Sequence, residues 1–223
     1  WPTGGRCRPR RKPGTRRQRA DPAVNSAQAI QEAKQALRRQ VRAALARLGP
    51  EERAAGAAQA RARLAAQPQW QAAQWVLFFA PLPQELDVWP LLPEALAAGK
   101  NVALPRFAAA TQTYEVCGIQ DAAADLIMGR FGIREPGPRC ARLAARRLDL
   151  ILVPGIAFDV RGARLGRGKG YYDRLLKEWP GTTCGVGFDL QLRNEIPCEP
   201  HDARLDCLLT PTRWIERPPL SPA

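Results

Sequence analysis

Between Arg161 and Gly170 the chain reads RGARLGRGKG, so that Gly162, Gly166, Gly168 and Gly170 alternate with the cations Arg161, Arg164, Arg167 and Lys169. Bare backbone amides and cationic side chains packed at this spacing converge on an anion, and a polyphosphate is the natural guest. Two common phosphate motifs do not fit. A Walker loop needs glycine where Ala163 stands and a hydroxyl residue where Gly170 stands, relative to the Gly168-Lys169 pair. The dinucleotide fingerprint needs a third glycine at Tyr171. The loop is followed at once by Tyr171, Tyr172 and Asp173, an aromatic and acidic helix start.

Such a loop needs rigid elements to hold it. Leu148 and Leu150–Val153 form a short continuous apolar run, the mark of a strand covered on both faces, and Pro154-Gly155 stops it. A helix is expected from Tyr171 to Trp179. Upstream, the apolar run 75–80 predicts the first central strand, and Glu85 and Asp87 follow it, where α/β proteins place ligand sites or helix caps. A helix is predicted from Ser26, as its cap, to Gly49-Pro50, with Ile30, Leu37, Val41, Leu45 and Leu48 on one stripe. Lys34, Arg38 and Arg42 fall at steps of four on a neighbouring face, which by itself reads as a solvated charge stripe. Helices at 51–66 and 91–98 and strands at 101–104, 114–117 and 184–188 complete the alternation. Together they predict an α/β fold with a mostly parallel sheet between helical layers.

Composition sets the limits. A chain of 223 residues, 45% apolar and 25% charged, suits one sizeable α/β core. No apolar run is long enough to span a membrane, and no secretory signal pattern precedes the first helix, so a soluble, cytoplasmic protein is expected. Six cysteines without a CxxC pair and a single histidine, His201, argue against zinc and for small buried thiols. The net charge of +13 is concentrated: residues 1–20 hold eight of the 34 basic residues and none of the 21 acids. Residues 1–25 are therefore expected to be a disordered basic extension, a possible nucleic-acid contact, and lack the serine content and amphipathic face of a transit peptide.

The segment PGIAFDVRGARLGRGKGYYDR at 154–174, with FGIREP at 131–136 and VGFDLQLRNEIPCEPHDARLD at 186–206, resembles the signature of the 5-formyltetrahydrofolate cyclo-ligase family, also called methenyltetrahydrofolate synthetases. The similarity runs from Lys34 to about Trp214. It implies a single three-layer α/β/α domain over 26–216, of ribose-phosphate isomerase and coenzyme A transferase type, with a tail at 217–223. It also implies ATP- and Mg²⁺-dependent closure of 5-formyltetrahydrofolate, polyglutamylated or not, to 5,10-methenyltetrahydrofolate by a monomeric enzyme.

The resemblance also implies roles. Lys34 and Arg38, with Arg164, Leu165, Gly166, Arg167, Gly168, Lys169, Gly170, Tyr171 and Tyr172, bind ATP. Arg164, Arg167 and Lys169 stabilise the transferring phosphoryl group, and Asp173 and Asp202 hold Mg²⁺. Leu82, Glu85 and Asp87, with Arg167, Gly168, Lys169, Gly170 and Tyr171, bind the folate, Asp87 being the better match to the family's pterin-binding acid. Arg42 is a weaker nucleotide candidate, and Arg106 is either an anion binder or an ion pair. Two positions depart from the family: Val88 replaces the usual threonine and Arg134 the usual proline. Two other classes remain at this point, a nucleic-acid-binding protein acting through its basic tail and helical cations, and a sugar-phosphate isomerase of the same architecture needing neither ATP nor Mg²⁺.

Overall fold

A computed structural model describes residues 22–129, 132–144, 148–199 and 202–217, with side chains from residue 28 onward. Most of the predicted N-terminal extension, together with Phe131, His201 and residues 218–223, lies outside the described residues. Three helices come first: α1 (Pro22–Leu45), α2 (Pro50–Ala65) and the short α3 (Pro68–Ala72). Helix α1 begins four residues before Ser26, so that serine is not its cap. Pro50 and Pro68 stand in the first turns of their helices, where a missing N–H costs nothing, and the Glu52 carboxylate accepts the Gly49 amide at 2.9 Å.

Then follow β1 (Trp75–Leu77), α4 (Leu91–Ala97), β2 (Asn101–Ala108), β3 (Thr113–Ile119), β4 (Leu126–Met128), β5 (Arg134–Pro136), β6 (Leu150–Pro154), β7 (Ala157–Asp159), β8 (Arg164–Leu165) and α5 (Tyr171–Glu178). The chain closes with β9 (Thr182–Val186), a 3₁₀ turn at Asp189–Gln191, β10 (Leu192–Arg193), β11 (Cys207–Leu209) and β12 (Trp214–Glu216). Seven strands make the central sheet in the order β12-β11-β9-β6-β1-β2-β3. The five inner strands are parallel, and β12 and β3 run antiparallel at the two edges. The expected parallel sheet is present, but β2 and β3 form a hairpin where simple alternation would place a helix. A small sheet β10-β7-β8 and the ribbon β4-β5 are additions that strands of two or three residues do not announce by periodicity.

Strand alternation divides the core into two layers. Val76, Leu150, Leu152, Cys184 and Val186 pack with Val41, Leu64, Trp70 and Leu92 from α1 to α4. Leu77, Ile151, Val153 and Leu208 pack on the other face with Leu175 of α5 and Trp179. The three-layer α/β/α arrangement is therefore as expected. Leu150 to Val153 have no exposed surface, which is why that stretch reads as an unbroken apolar run, and truncating one of them to alanine costs about 2–5 kcal/mol. Among the described residues no helix is long and apolar enough to cross a membrane.

Candidate active site

Strand β6 ends at Pro154, and the hairpin β7–β8 carries the chain back to the C-terminal side of the sheet. Its turn is set by Asp159, whose carboxylate accepts the amides of Arg161 at 2.9 Å, Ala163 at 3.0 Å and Ile196 at 3.0 Å. Gly162 and Arg161 thus belong to a structural turn, and Arg161 faces Glu195 on the surface. The sequence placed both with the anion-binding cations; the structure does not. Strand β8 instead sends Arg164 inward. Its side chain is 4% exposed, Nη2 donates to Asp173 Oδ1 at 2.6 Å, Nη1 donates to the Pro154 carbonyl at 3.3 Å, and its guanidinium lies 5.7 Å from the Tyr172 ring.

The loop 166–170 connects β8 to α5. Gly168 (φ 100°) and Gly170 (φ 65°) take left-handed backbone that other residues rarely adopt, and Gly170 caps α5. The Gly166 carbonyl accepts Arg38 Nε at 2.9 Å, which ties the loop to α1. Arg167 reaches across to Glu85, and the other oxygen of that carboxylate accepts the Leu82 amide at 3.0 Å. Between these groups lies a cavity of about 390 Å³. One part of its wall carries the cations Arg42, Arg164, Arg167 and Lys169; another carries Phe79, Ala80, Leu82, Glu85, Pro105, Tyr114 and Ile133, with a fifth cation, Arg134.

Tyr171 and Tyr172 complete the wall and pack on the β2–β3 hairpin, with Tyr114 ring centroids 5.1 Å and 5.9 Å away respectively. Burial pushes the Tyr114 phenol up to about 12 and the Tyr172 phenol well above its ordinary value, so both remain protonated donors at neutral pH. The described cysteines are unpaired; burial likewise raises Cys117 to about 11, and these thiols are packing groups, as the sequence suggested.

The residues 30–211 match the family model described as the 5-formyltetrahydrofolate cyclo-ligase family. The chain belongs to this family. It is 36% identical over 176 residues to the 5-formyltetrahydrofolate cyclo-ligase of Escherichia coli (strain K12), an alignment covering 76% of this chain and 95% of that one. It is 28% identical to the Mus musculus cyclo-ligase, over 81% and 94% of the two chains. The solved Aquifex aeolicus 5,10-methenyltetrahydrofolate synthetase has the same fold with a TM-score of 0.76 and 34% identity, covering 85% of this chain and 96% of that one. The chain is accordingly an enzyme of the ligase class.

Of the residues that the cyclo-ligase resemblance implicates, the structure brings Leu82, Glu85, Arg164, Gly166, Arg167, Lys169, Gly170, Tyr171, Tyr172 and Asp173 to one cavity. Arg38 and Gly168 stand just behind it, the Arg38 guanidinium lying against Gly168. Leu165 is buried beneath, in the core. Asp87 is elsewhere: its Oδ1 accepts the Trp89 amide at 2.9 Å, and it lines an adjoining cavity with Arg53 and Arg61. The turn that bonds the Glu85 amide to the Leu82 carbonyl at 2.8 Å puts Glu85, and not Asp87, in front of the glycine loop. The two acids expected at the pterin end are thus separated, Glu85 lining both cavities and Asp87 the adjoining one.

Lys34 and Asp202 were expected as a phosphate cation and a metal ligand. They are bonded to each other at 2.7 Å, and Lys34 also meets Glu199 at 2.8 Å, in a cluster that does not line the cavity. Burial alone would lower the Lys34 ammonium, but hydrogen bonds to Asp202 and Glu199 more than offset it and the net shift is upward. Among the described residues no group of three or more His, Cys, Asp or Glu side chains is placed to hold a metal. Asp173, on the cavity wall, suits a Mg²⁺ ion that takes most of its oxygen ligands from phosphates and water. Arg106 is an ion pair with Glu115 at 3.0 Å, and Asp206 braces Thr183 and Arg217. Sequence reasoning missed Phe79, Ala80, Tyr114 and Arg134, and placed Arg42 last among the helical cations although it alone of that stripe lines the cavity.

Proposed function

We propose that this chain converts 5-formyltetrahydrofolate and ATP to 5,10-methenyltetrahydrofolate, ADP and phosphate, with Mg²⁺ as metal cofactor. The observation that carries the reading is the joint wall of the cavity: a cationic glycine loop at the start of α5 meets Glu85 and an apolar, aromatic surface through the Arg167–Glu85 contact. A polyphosphate and a flat heterocycle bearing N–H donors are complementary to the two parts.

The formyl oxygen of the substrate is a poor leaving group. Attack of that oxygen on the γ-phosphorus of ATP breaks the bond to the ADP oxygen and leaves the oxygen as a phosphate ester. The substrate's N10 amine then attacks the formyl carbon, loses its proton and closes the five-membered ring, and the C–O bond breaks as phosphate departs with the former formyl oxygen. The methenyl cation remains. Lys169 and Arg42, which have no ion-pair partner among the described residues, are the charges of the loop side available for the transferring phosphoryl group, joined by loop amides at Gly166 and Gly170. Arg164 is neutralised by Asp173 and positions that carboxylate, while Arg167 becomes available once Glu85 turns to the heterocycle. Mg²⁺ held by Asp173 and phosphate oxygens would offset the charge of the triphosphate. Glu85, 10% exposed, is placed to accept the N–H groups of the pterin ring.

The test is an absorbance assay for methenyltetrahydrofolate with ADP counted in parallel, on the wild type, Lys169→Ala and Asp173→Asn. Product and ADP in equal amounts, with both variants strongly impaired, is the expected result. ATP binding without product from 5-formyltetrahydrofolate would overturn the substrate assignment.

A further inference from the structure

Five cationic side chains line the cavity: Arg42, Arg134, Arg164, Arg167 and Lys169. Arg164 and Arg167 are held by Asp173 and Glu85. Lys169 lies in the glycine loop, and Arg42 is one helical turn from Arg38, whose guanidinium rests against that loop. Arg134 is different in each respect. It comes from β5, in the ribbon with β4, and its register partner is Met128. Its guanidinium is 5.1 Å from the Trp89 ring, and it makes no ion pair among the described residues. The Trp89 backbone amide donates to Asp87 Oδ1 at 2.9 Å, which holds the main chain that carries the indole. Asp87 thereby supports the platform on which Arg134 rests. A guanidinium held over an indole face retains N–H donors that can meet a carboxylate.

The proposed substrate supplies such a group: its glutamyl tail carries carboxylates at the end remote from the reacting formyl group. The phosphate side of the cavity already has its cations. The adjoining cavity offers Arg53 and Arg61, but Arg53 gives Nε and Nη2 to the carbonyls of Leu48 and Leu45 and its Nη1 is closed off from the surface, Arg61 donates to the Asp87 carbonyl, and both share that space with two carboxylates. Resting on the function proposed above, we infer that Arg134, held over Trp89, forms a carboxylate subsite of the cavity that binds the substrate's glutamyl tail.

The experiment compares 5-formyltetrahydrofolate with 5-formyltetrahydropteroate, which lacks the glutamate, on the wild type, Arg134→Ala, Arg134→Lys and Arg61→Ala. Arg134→Ala should raise KM for the glutamate-bearing substrate about ten-fold, the scale of one partly exposed charge-assisted hydrogen bond. KM for the pteroate, KM for ATP and kcat should not move, and Arg134→Lys should fall between. Binding by titration calorimetry without ATP should show the same ordering. The inference fails if Arg134→Ala affects both substrates equally, or neither, or if Arg61→Ala carries the tail-dependent effect instead. If the wild type binds the folate without turning it over, calorimetry still decides between these results. If it does not bind the folate at all, the proposed function falls and this subsite with it.

Discussion

Two nitrogens of Arg167, Nη2 at 2.8 Å and Nε at 3.3 Å, donate to the same carboxylate oxygen of Glu85. The contact joins residues 82 positions apart and draws the glycine loop onto the segment after β1. Glu85 is nearly buried and Arg167 is 44% exposed, so the pair is not a deep structural bridge but a junction that ligands can open. A heterocycle that takes the Glu85 carboxylate releases Arg167 toward the phosphates. Folate and nucleotide should therefore bind with positive coupling.

Glu85→Gln keeps the shape and removes the charge. We expect kcat/KM for the folate to fall by about 10- to 100-fold, the loss of one charge-assisted hydrogen bond in a partly closed site, while ATP affinity in the absence of folate holds or improves because Arg167 is already free. Calorimetric titration with ATP, with and without folate, reads both effects. A variant that loses ATP affinity would show that Glu85 supports the loop and does not restrain it.

Asp173 has two duties, as the counter-charge of Arg164 and as the proposed metal ligand. Asp173→Ala leaves a guanidinium that is 4% exposed with the Pro154 carbonyl as its remaining acceptor, and unfolding free energy should drop by about 3 kcal/mol. Asp173→Asn keeps an acceptor and should cost about half as much. Urea denaturation of the two variants separates folding from chemistry: equal stability with unequal activity would contradict the assignment of Asp173 to the Arg164 pair.

Lys34 gives a pH-dependent signature. Its ammonium is bonded to Asp202 and Glu199, and its folded pKa lies above the ordinary 10.5. A raised lysine pKa means that the folded state holds its proton more tightly. The stabilisation is thus complete below 10.5 and disappears as pH rises through the folded value. The difference in urea midpoint between wild type and Lys34→Met should be constant at neutral pH and shrink only beyond 10.5. A difference that fades at neutral pH would place the proton elsewhere in the cluster.

The parts of the fold legible in the sequence are those where one local rule sufficed. β6 is buried on both faces and reads as an apolar run; α1 shows its core stripe; the glycines at 168 and 170 mark backbone that only glycine adopts comfortably. The cations of α1 show where legibility ends. Lys34, Arg38 and Arg42 are equivalent by spacing, yet one meets Asp202, one the Gly166 carbonyl and one the cavity, because the packing of α1 against chain segments more than a hundred residues away decides each partner. Glu85 and Asp87 are equivalent by local pattern, and only the resemblance ranks Asp87 first, for a similar reason: a turn, not a periodicity, sets which of them faces the loop. The β2–β3 hairpin and its Tyr114 wall carry no motif, and Arg134 stood out only as a departure from the family pattern.

Glu135 lies beside Arg134 and points into the protein. Its residue surface is 6% exposed, Oε2 accepts a long 3.4 Å bond from the Phe107 amide, and Oε1 is buried with no hydrogen-bond partner among the described residues. Burial pushes its carboxyl above the ordinary 4.5, and the Phe107 amide offsets only part of that. An acid with a raised folded pKa binds its proton more tightly when folded, so stability declines as pH climbs from 4.5 through the folded value and the cost persists above it. Glu135→Gln mimics the protonated form. It should match the wild type in urea midpoint below 4.5 and become the more stable protein as pH approaches neutrality. A glutamine variant less stable than wild type at neutral pH would mean that the Glu135 carboxylate is charged and well partnered, and that burial does not govern it.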